Sequence, residues 1–249
     1  MSQHPFFEIH KGLPREGPGN NESTRKAFQL LKGLPSHPQI LDVGCGPGMQ
    51  TLELASLADG TITAVDRHEP FLEQLEQKKA ELGLTDKIKT VQGDMFALPF
   101  VEQSMDLIWS EGAIYIIGFE RGLREWRNLL KPNGYLVVSE LTWLTEERPE
   151  EIEAFWMEHY PAIQRAEANQ KIVEQASYRL LHQFPLPEAG WWEYYKPMQE
   201  RIHMLRDQYV GQLDMQQALD EAQGEIDLYR ELGAYYGYTF YILQRREDN

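Results

Sequence analysis

Residues 40–48 read Ile-Leu-Asp-Val-Gly-Cys-Gly-Pro-Gly, an apolar run that ends in a turn with glycine at every second position. Ile40, Leu41 and Val43 suit a strand that is buried on both faces of a parallel sheet. The glycines allow positive φ angles and bring the backbone close to a ligand. The residues after Gly48 can start a helix, whose first N–H groups are free to bind a polar group. The stretch therefore predicts a strand that opens into a ligand-binding loop.

The glycine spacing differs from that of the dinucleotide-binding loop of dehydrogenases. That fingerprint is G-x-G-x-x-G, in which the third glycine lets helix and strand pack closely. Here the order is G-x-G-x-G, and Met49 occupies the place of the third glycine. Asp42 lies inside the motif, where a carboxylate would repel a pyrophosphate but could bind an ammonium group or the loop amides. We therefore expect the loop to hold a ligand end that is not a phosphate.

With this motif the chain resembles the class I S-adenosylmethionine-dependent methyltransferases, whose first motif is a hydrophobic strand followed by D-x-G-x-G-x-G. Later segments fit the same family in the right order over about residues 38–141. Further strands are predicted at 61–65, 88–91, 105–109 and 135–139. The last follows the turn Lys131-Pro132-Asn133-Gly134, which is similar to the family's L-K-P-G-G-x-L turn. Asn133 replaces the usual glycine there, and asparagine adopts the left-handed region readily.

The resemblance implies S-adenosyl-L-methionine as cofactor and S-adenosyl-L-homocysteine as its product. It places Asp66 on the ribose hydroxyls, Asp94 against the adenine amino group and Met95 on the adenine ring. Because related N-terminal segments fold over the cofactor, we expect Arg15 to pair with the methionine carboxylate, which suits an arginine fork. The full predicted cofactor-binding set is Arg15, Asp42, Gly44, Cys45, Gly46, Gly48, Asp66, Arg67, Asp94, Met95, Ser110 and Glu111.

The implied fold is α/β, with a Rossmann-like, mostly parallel sheet of seven strands and helices on both faces. The expected strand order is 3-2-1-4-5-7-6, with strand seven antiparallel. Residues 178–184 and 238–243 are predicted as strands six and seven. Family members usually join these strands by a short turn, whereas more than fifty residues intervene here. Charge patterns in this insertion predict two helices, at about 197–208 and 212–232.

The chain, residues 1–249, is predicted to form a single methyltransferase domain. Residues 1–35 are expected to cover the cofactor, and residues 38–141 to form the cofactor-binding core. Helical elements at 142–176 and 187–233 are predicted to form a substrate lid or a homodimer interface, because both kinds of surface are rich in aromatic residues. Packing without a ligand or partner is an equally open interpretation of these elements.

Composition excludes several classes of function. The formal net charge is −15, from 24 Lys and Arg against 39 Asp and Glu, and no basic run could follow a phosphate backbone. The chain lacks a signal-peptide pattern and an apolar span of about 18 residues. Its single cysteine, Cys45, fits a reducing compartment and excludes an intramolecular disulfide. We therefore expect a cytoplasmic protein with a small-molecule substrate and with neither nucleic acid nor membrane as partner.

The methyl acceptor is expected to bind just past the fourth strand, since in related enzymes this loop faces the methyl group. A hydroxyl or protonated amine acceptor needs a proton acceptor. Glu111 and Tyr115 are the predicted catalytic candidates, and His159, His182 and His203 are weaker ones. The predicted acceptor-binding residues are Tyr115, Trp143, Trp156, His159, Trp191 and Trp192. The tryptophans would suit an aromatic acceptor or, by cation–π contact, an amine.

Three classes of function stay open at this point. The favoured one is a methyltransferase that moves a methyl group to a small molecule by in-line displacement. An NAD(P)-dependent oxidoreductase is disfavoured by Met49 and Asp42. A protein that binds S-adenosylmethionine without turnover would keep the same glycine loop. No metal is predicted, because no acidic pair beside an asparagine and no Cys/His cluster stands out.

Overall fold

A mixed, mostly parallel sheet organises the computed structural model, which describes residues 5–247. The first four residues of the predicted cofactor-covering segment lie outside the described residues. The strands are β1 (Gln39–Val43), β2 (Thr61–Asp66), β3 (Ile88–Gln92), β4 (Met105–Ser110), β5 (Leu130–Trp143), β6 (Gln164–Arg165), β7 (Tyr178–Pro185) and β8 (Tyr236–Arg245). Their order across the sheet is β3-β2-β1-β4-β5-β8-β7, with β6 paired to β5.

Helices connect the strands. They are α1 (Pro5–His10), α2 (Asn21–Gln29), α3 (Met49–Leu57), α4 (Glu69–Glu81), α5 (Phe119–Arg127), α6 (Glu150–His159), α7 (Ala166–Gln175), α8 (Glu188–Gln208) and α9 (Leu213–Leu232). A short 3₁₀ helix, Ile114–Ile116, follows β4. In the described part of the chain, every helix is too short or too polar to cross a membrane.

The predicted strand order is confirmed, with β7 and β8 as predicted strands six and seven. β1 to β5 pair in parallel, and β8 runs antiparallel to both β5 and β7. The predicted number of seven strands is wrong by one, because the two-residue β6 pairs with Thr142 and Trp143 at the end of β5. So short a strand carries no periodic pattern that a sequence could reveal.

Apolar side chains cover both faces of the sheet, as the run at 40–43 predicts. Ile40 of β1 pairs with Leu107 of β4, and both belong to the hydrophobic cluster on one face. Leu41 and Ile108 are the next pair and belong to the cluster on the other face. Because successive side chains of a strand point to opposite faces, a run without alternation is what a doubly covered parallel sheet requires.

The insertion between β7 and β8 differs from its predicted form. The first helix was expected to begin at about Pro197, but α8 begins at Glu188 and continues through that proline. Proline removes one intrahelical hydrogen bond and usually ends or kinks a helix. Buried side chains on both sides of it, among them Trp191, Tyr195 and Ile202, pack into the core and stabilise the continuous helix.

The N-terminal strap, residues 11–20, links the sheet to the insertion. Asn20 ends the strap and caps α2, because its side chain accepts a hydrogen bond from the Ser23 N–H at 2.8 Å. The Gly19 N–H donates to the carbonyl of Gly190 in α8 at 3.0 Å. The helix before the strap, α1, contacts both α8 and α9. The segment predicted to cover the cofactor is therefore attached to the insertion.

Candidate functional site

A cavity of about 270 Å³ lies at the carboxyl edge of β1, β2 and β4. Open α/β sheets bind ligands at this edge, where the chain leaves neighbouring strands in different directions. The walls come from the loop after β1, the ends of β2, β3 and β4, and the strap. The predicted cofactor residues that line it are Arg15, Gly44, Cys45, Gly46, Asp66, Arg67, Asp94, Met95 and Glu111.

Gly44 occupies a position at which a side chain has no room. Its φ angle is +72°, and a β-carbon there would lie 2.5 Å from Cβ of Ala113 and 3.5 Å from Cε of Met95. Gly48, which does not line the cavity, has a φ of +84° and packs against Leu75, where a β-carbon would lie 2.4 Å from Cδ1. The first glycine of the motif therefore opens the cavity, and the last brings the loop close to α4.

The carboxylate of Asp66 has a structural partner in the glycine loop. Its Oδ2 accepts a hydrogen bond from the Gly46 N–H at 2.8 Å, and its Oδ1 accepts one from the His68 N–H at 2.9 Å. The sequence suggested only a ribose ligand at this position, because the spacing of two loops does not reveal which backbone amide one carboxylate will reach. Asp66 both lines the cavity and fixes the loop.

Asp94 and Met95 lie just after β3, at the same cavity. Asp94 accepts a hydrogen bond through Oδ1 from the Phe96 N–H at 3.0 Å, which forms a tight turn. The Met95 carbonyl accepts from Nε1 of Trp126 at 3.2 Å. These contacts fix the backbone of both residues, so that a carboxylate and a thioether side chain face the cavity side by side.

A buried cluster around Glu111 joins the strap to the end of β4. Its Oε1 accepts hydrogen bonds from Oγ1 of Thr24 at 2.6 Å and from Nε1 of Trp109 at 2.9 Å. Arg15 places Nη1 3.7 Å from Oε2 of Glu111 and donates through Nη2 to Oδ1 of Asn21 at 2.8 Å. Burial raises the pKa of Glu111, and the Arg15 charge opposes this. These contacts fit a role of Glu111 in positioning Arg15.

Asp42 and Ser110, both predicted to bind the cofactor, lie beneath the cavity. Thr51 donates to Oδ2 of Asp42 at 2.6 Å, and Oγ of Ser110 donates to the Val43 carbonyl at 2.9 Å. Both residues are fully buried. The motif places Asp42 on β1, but its side chain points to α3, so the two residues support the loop from below.

Replacing Asp42 with asparagine should change how stability depends on pH. Burial raises the pKa of Asp42 from 3.8 to about 7, so between those values the folded state holds a proton that the unfolded state lacks. The free energy of unfolding should therefore fall as pH rises through this window, by up to about 1.4 kcal/mol per pH unit. Urea unfolding from pH 5 to 8 should show a steeper loss in the native chain than in Asp42→Asn, which keeps only the contribution of other buried carboxylates such as Glu140.

The matched control is Asp86→Asn, at an exposed position. Its pH profile should run parallel to that of the native chain. Parallel profiles for Asp42→Asn and the native chain would contradict a protonated Asp42 in the folded state.

Most residues predicted to bind the acceptor lie outside this cavity. Tyr115 lines it, whereas Trp191 is 3% exposed and stacks on Tyr229 in the core. Trp143 lies under the guanidinium of Arg148, at 4.2 Å. Trp156, His159, Trp192 and the weaker candidates His182 and His203 are also absent from its wall. The buried tryptophans follow the commoner use of aromatic residues, which is packing, whereas the three histidines are exposed.

Several residues of the cavity wall were not predicted. Phe6 of α1, Glu16 of the strap and Phe71 of α4 line it, and Glu16 pairs with His10 at 2.7 Å. The unusual composition of the strap was a signal for Glu16 only, and contacts between distant segments leave no local pattern that would reveal Phe6 or Phe71. Among residues 5–247, no group of three or more His, Cys, Asp or Glu side chains is arranged to hold a metal ion.

Comparison with known proteins assigns this architecture. Residues 41–138 match the family model described as a methyltransferase domain. A sterol 24-C-methyltransferase of Gibberella zeae is 32% identical over 113 residues, which are 45% of this chain and 29% of the relative. A 24-methylenesterol C-methyltransferase of Oryza sativa subsp. japonica is 25% identical over 203 residues, 75% of this chain and 54% of that protein. The match thus spans only part of the length of these relatives.

Among solved structures, a SAM-dependent methyltransferase from Geobacter sulfurreducens in complex with S-adenosyl-L-homocysteine has a TM-score of 0.85, with 98% of each chain covered. At 16% sequence identity, this likeness establishes the fold alone. The matched family model, the strand order and the glycine loop all fit a methyltransferase fold. Residues 41–138 therefore match a methyltransferase domain, and the fold of the chain is that of a SAM-dependent methyltransferase.

Proposed function

We propose that this protein is an S-adenosylmethionine-dependent methyltransferase that acts on a small-molecule acceptor. The observation that carries the proposal is the chemistry of one cavity wall. Asp66, Asp94 and Arg15, from three distant segments, face the same 270 Å³ cavity beside the glycine loop. Two carboxylates and a guanidinium fit, in turn, ribose hydroxyls, an adenine amino group and an amino-acid carboxylate.

The residues present fit this cofactor. The backbone at Gly44 can approach it closely, because a β-carbon there would already meet Ala113. Met95 offers an apolar, polarisable surface for the adenine ring. When bound, the cofactor supplies a methyl group that its sulfonium has already activated. The strap and Phe6 of α1 line one side of the cavity, and such cover over a bound cofactor would strengthen the electrostatic interactions inside.

The charge of the wall argues against the oxidoreductase alternative. Asp66, Asp94, Glu16 and Glu111 face the cavity, and Arg15 already lies beside Glu111. A pyrophosphate would bring two negative charges to this acidic wall, whereas the cofactor proposed here carries an ammonium and a sulfonium group. The wall therefore favours a cationic ligand.

We also propose that α8 and α9 form a lid over the acceptor side. The support is that Arg201 of α8 donates two hydrogen bonds to the Glu8 carbonyl of α1, at 2.9 and 2.6 Å. Phe6 of the same α1 lines the cavity. A homodimer interface is the alternative role, and light scattering of the purified protein tests it. The single buried cysteine supports a reducing, cytoplasmic location.

Calorimetric titration tests the class of cofactor. We expect S-adenosyl-L-homocysteine to bind and NADH not to bind. Incubation with methyl-labelled S-adenosylmethionine and a panel of small acceptors then tests turnover. Binding of NADH alone would overturn the proposal, and cofactor binding without transfer to any acceptor would favour the non-catalytic alternative.

Arg15→Ala should weaken S-adenosyl-L-homocysteine binding about tenfold to a hundredfold. The reason is the loss of charge-assisted hydrogen bonds to the ligand carboxylate, worth about 1.5–3 kcal/mol. Arg15→Lys should recover only part of this, because an ammonium lacks the planar fork. The measurement is calorimetry, with Arg25→Ala as the control, since Arg25 pairs with Glu53 away from the cavity. Equal affinity in Arg15→Ala and the native chain would remove Arg15 from the site.

A further inference from the structure

A second group of polar side chains lies beyond Tyr115, on the side of the cavity that faces the insertion. Its members come from the 3₁₀ helix, β5, the end of α6, and α8, α9 and β8. We name this group the acid–tyrosine recess and define it as Tyr115, Glu140, Tyr160, Tyr194, Glu225 and Tyr238. None of these side chains except Tyr115 lines the cofactor cavity.

Glu140 is one carboxylate of the recess, near the carboxyl end of β5. It is 1% exposed, and its Oε1 accepts a hydrogen bond from the Tyr160 hydroxyl at 2.6 Å. Its Oε2 is buried and has no hydrogen-bond partner among the described residues. Burial raises the pKa of Glu140 to about 8. A buried polar atom without a partner is costly in a folded protein, so this oxygen is suited to a ligand.

Glu225 is the other carboxylate, on α9. Its side chain accepts a hydrogen bond from the Tyr195 hydroxyl at 2.9 Å. The side chain of Glu225 has a large accessible surface. Even so, the protein around its carboxylate removes hydration, and this is the main reason why the pKa of Glu225 is raised. A carboxylate on the wall of a recess satisfies both observations, whereas one on an open surface would stay hydrated.

The tyrosines connect the two carboxylates to the cofactor cavity. Tyr115 contacts Tyr160 edge to face, with ring centroids 5.9 Å apart. Burial raises the pKa of Tyr115 and of Tyr238, and the charges of both Glu140 and Glu225 raise them further. Both carboxylates therefore lie close to both tyrosines. Since Tyr115 also lines the cofactor cavity, the recess adjoins the side where a transferred methyl group would be received.

When Glu140 and Glu225 are ionised, the recess has a negative charge that the protein leaves largely unbalanced. Neither Glu140 nor Glu225 forms a salt bridge with a lysine or arginine in the described part of the chain. His10 and His159 lie close enough to lower the pKa of Glu225, but His10 already pairs with Glu16. Buried carboxylates are normally paired. Tyrosine rings attract cations through their faces.

We propose that the acid–tyrosine recess binds the methyl acceptor as a cation, namely a small protonated amine held by Glu140, Glu225 and the surrounding tyrosine rings. This inference rests on the proposed methyltransferase function and names the substrate class. Before transfer, the ammonium gives one N–H proton to a carboxylate oxygen. The freed nitrogen lone pair then forms the N–C bond as the C–S bond of the cofactor breaks, and the electron pair of that bond stays on sulfur.

Binding of probe cations to the full chain, saturated with S-adenosyl-L-homocysteine, tests the proposal. The probes are tetramethylammonium, benzylamine and butylamine, and the neutral controls are benzyl alcohol and butanol. We expect calorimetry to detect at least one cation, and to show at least tenfold weaker binding of the alcohols. Glu225→Gln and Glu140→Gln should each weaken cation binding at least tenfold and leave S-adenosyl-L-homocysteine affinity within twofold.

The control variant is Glu231→Gln, at an exposed position of α9, which should bind the cations like the native chain. Cation affinity should also rise from pH 6 to 8.5, because Glu140 and Glu225 ionise over this range. The titratable groups that face them are Tyr160, Tyr195, His10 and His159. Glu225→Gln, at an accessible position, keeps the test valid if Glu140→Gln does not fold. Equal binding of amines and alcohols, or no binding of any probe by protein that binds S-adenosyl-L-homocysteine, would overturn the cationic acceptor and leave the cofactor assignment intact.

Discussion

Asp66→Ala is expected to weaken S-adenosyl-L-homocysteine binding by about a hundredfold or more, the largest effect of any single carboxylate in the cavity. Two losses combine in this variant. The ligand loses an acceptor for its ribose hydroxyls, and the Gly46 N–H loses the partner that fixes the glycine loop. Hydrogen bonds to charged groups contribute about 1.5–3 kcal/mol each, and about 1.4 kcal/mol corresponds to a tenfold change in affinity.

Two further variants separate these losses. Asp66→Asn keeps one oxygen acceptor and should give an intermediate affinity, measured by calorimetry at constant pH. Asp86→Ala removes an exposed aspartate and should leave affinity unchanged. If Asp66→Ala binds as tightly as Asp86→Ala, the cavity is not the cofactor site.

Gly44→Ala is expected to abolish measurable cofactor binding and to lower the melting temperature. A residue with a side chain at a φ of +72° costs about 1–2 kcal/mol in backbone strain. The new β-carbon would lie 2.5 Å from Cβ of Ala113, and such overpacking adds about 1–3 kcal/mol. In a chain of this size, each kcal/mol lowers the melting temperature by about 2–4 °C. Calorimetry and thermal unfolding measure the two effects.

The strain and the clash can be measured separately. Gly83 has a φ of +69°, and a β-carbon added there would have no described atom within 4 Å, so Gly83→Ala should show the strain alone. The double variant Gly44→Ala, Ala113→Gly removes the clash and should recover part of the stability. No difference in stability between Gly44→Ala and Gly83→Ala would show that Ala113 yields without cost.

The cofactor half of the fold could be predicted because its signals are local. Ile40 to Gly48 combine a doubly buried strand with a turn that only glycine can form. Asn133 was expected in the left-handed region and has a φ of +61°. Asp66 ends one β-branched strand and Asp94 follows shortly after another, so the parallel sheet places them at one edge without further information.

The acceptor half could not be predicted, because its residues meet only through tertiary packing. Trp191 and Trp192 are adjacent aromatic residues, and nothing in the sequence shows that the first is buried against Tyr229. Glu140 follows directly after the predicted strand at 135–139, and its partner Tyr160 lies twenty residues further on. Pro197 was expected to begin a helix, because proline is unfavourable inside one. The burial of its neighbours stabilises a helix that continues through it.

The attachment of the strap at both ends has a consequence for the time course of catalysis. Arg15 is tied to Glu111 and Asn21, while Gly19 is tied to Gly190 of α8. If the proposed cofactor and its product enter and leave past the strap, each exchange breaks at least one of these attachments. We therefore expect the residence time of the product, set by opening of the strap, to limit the turnover rate more than the methyl transfer itself.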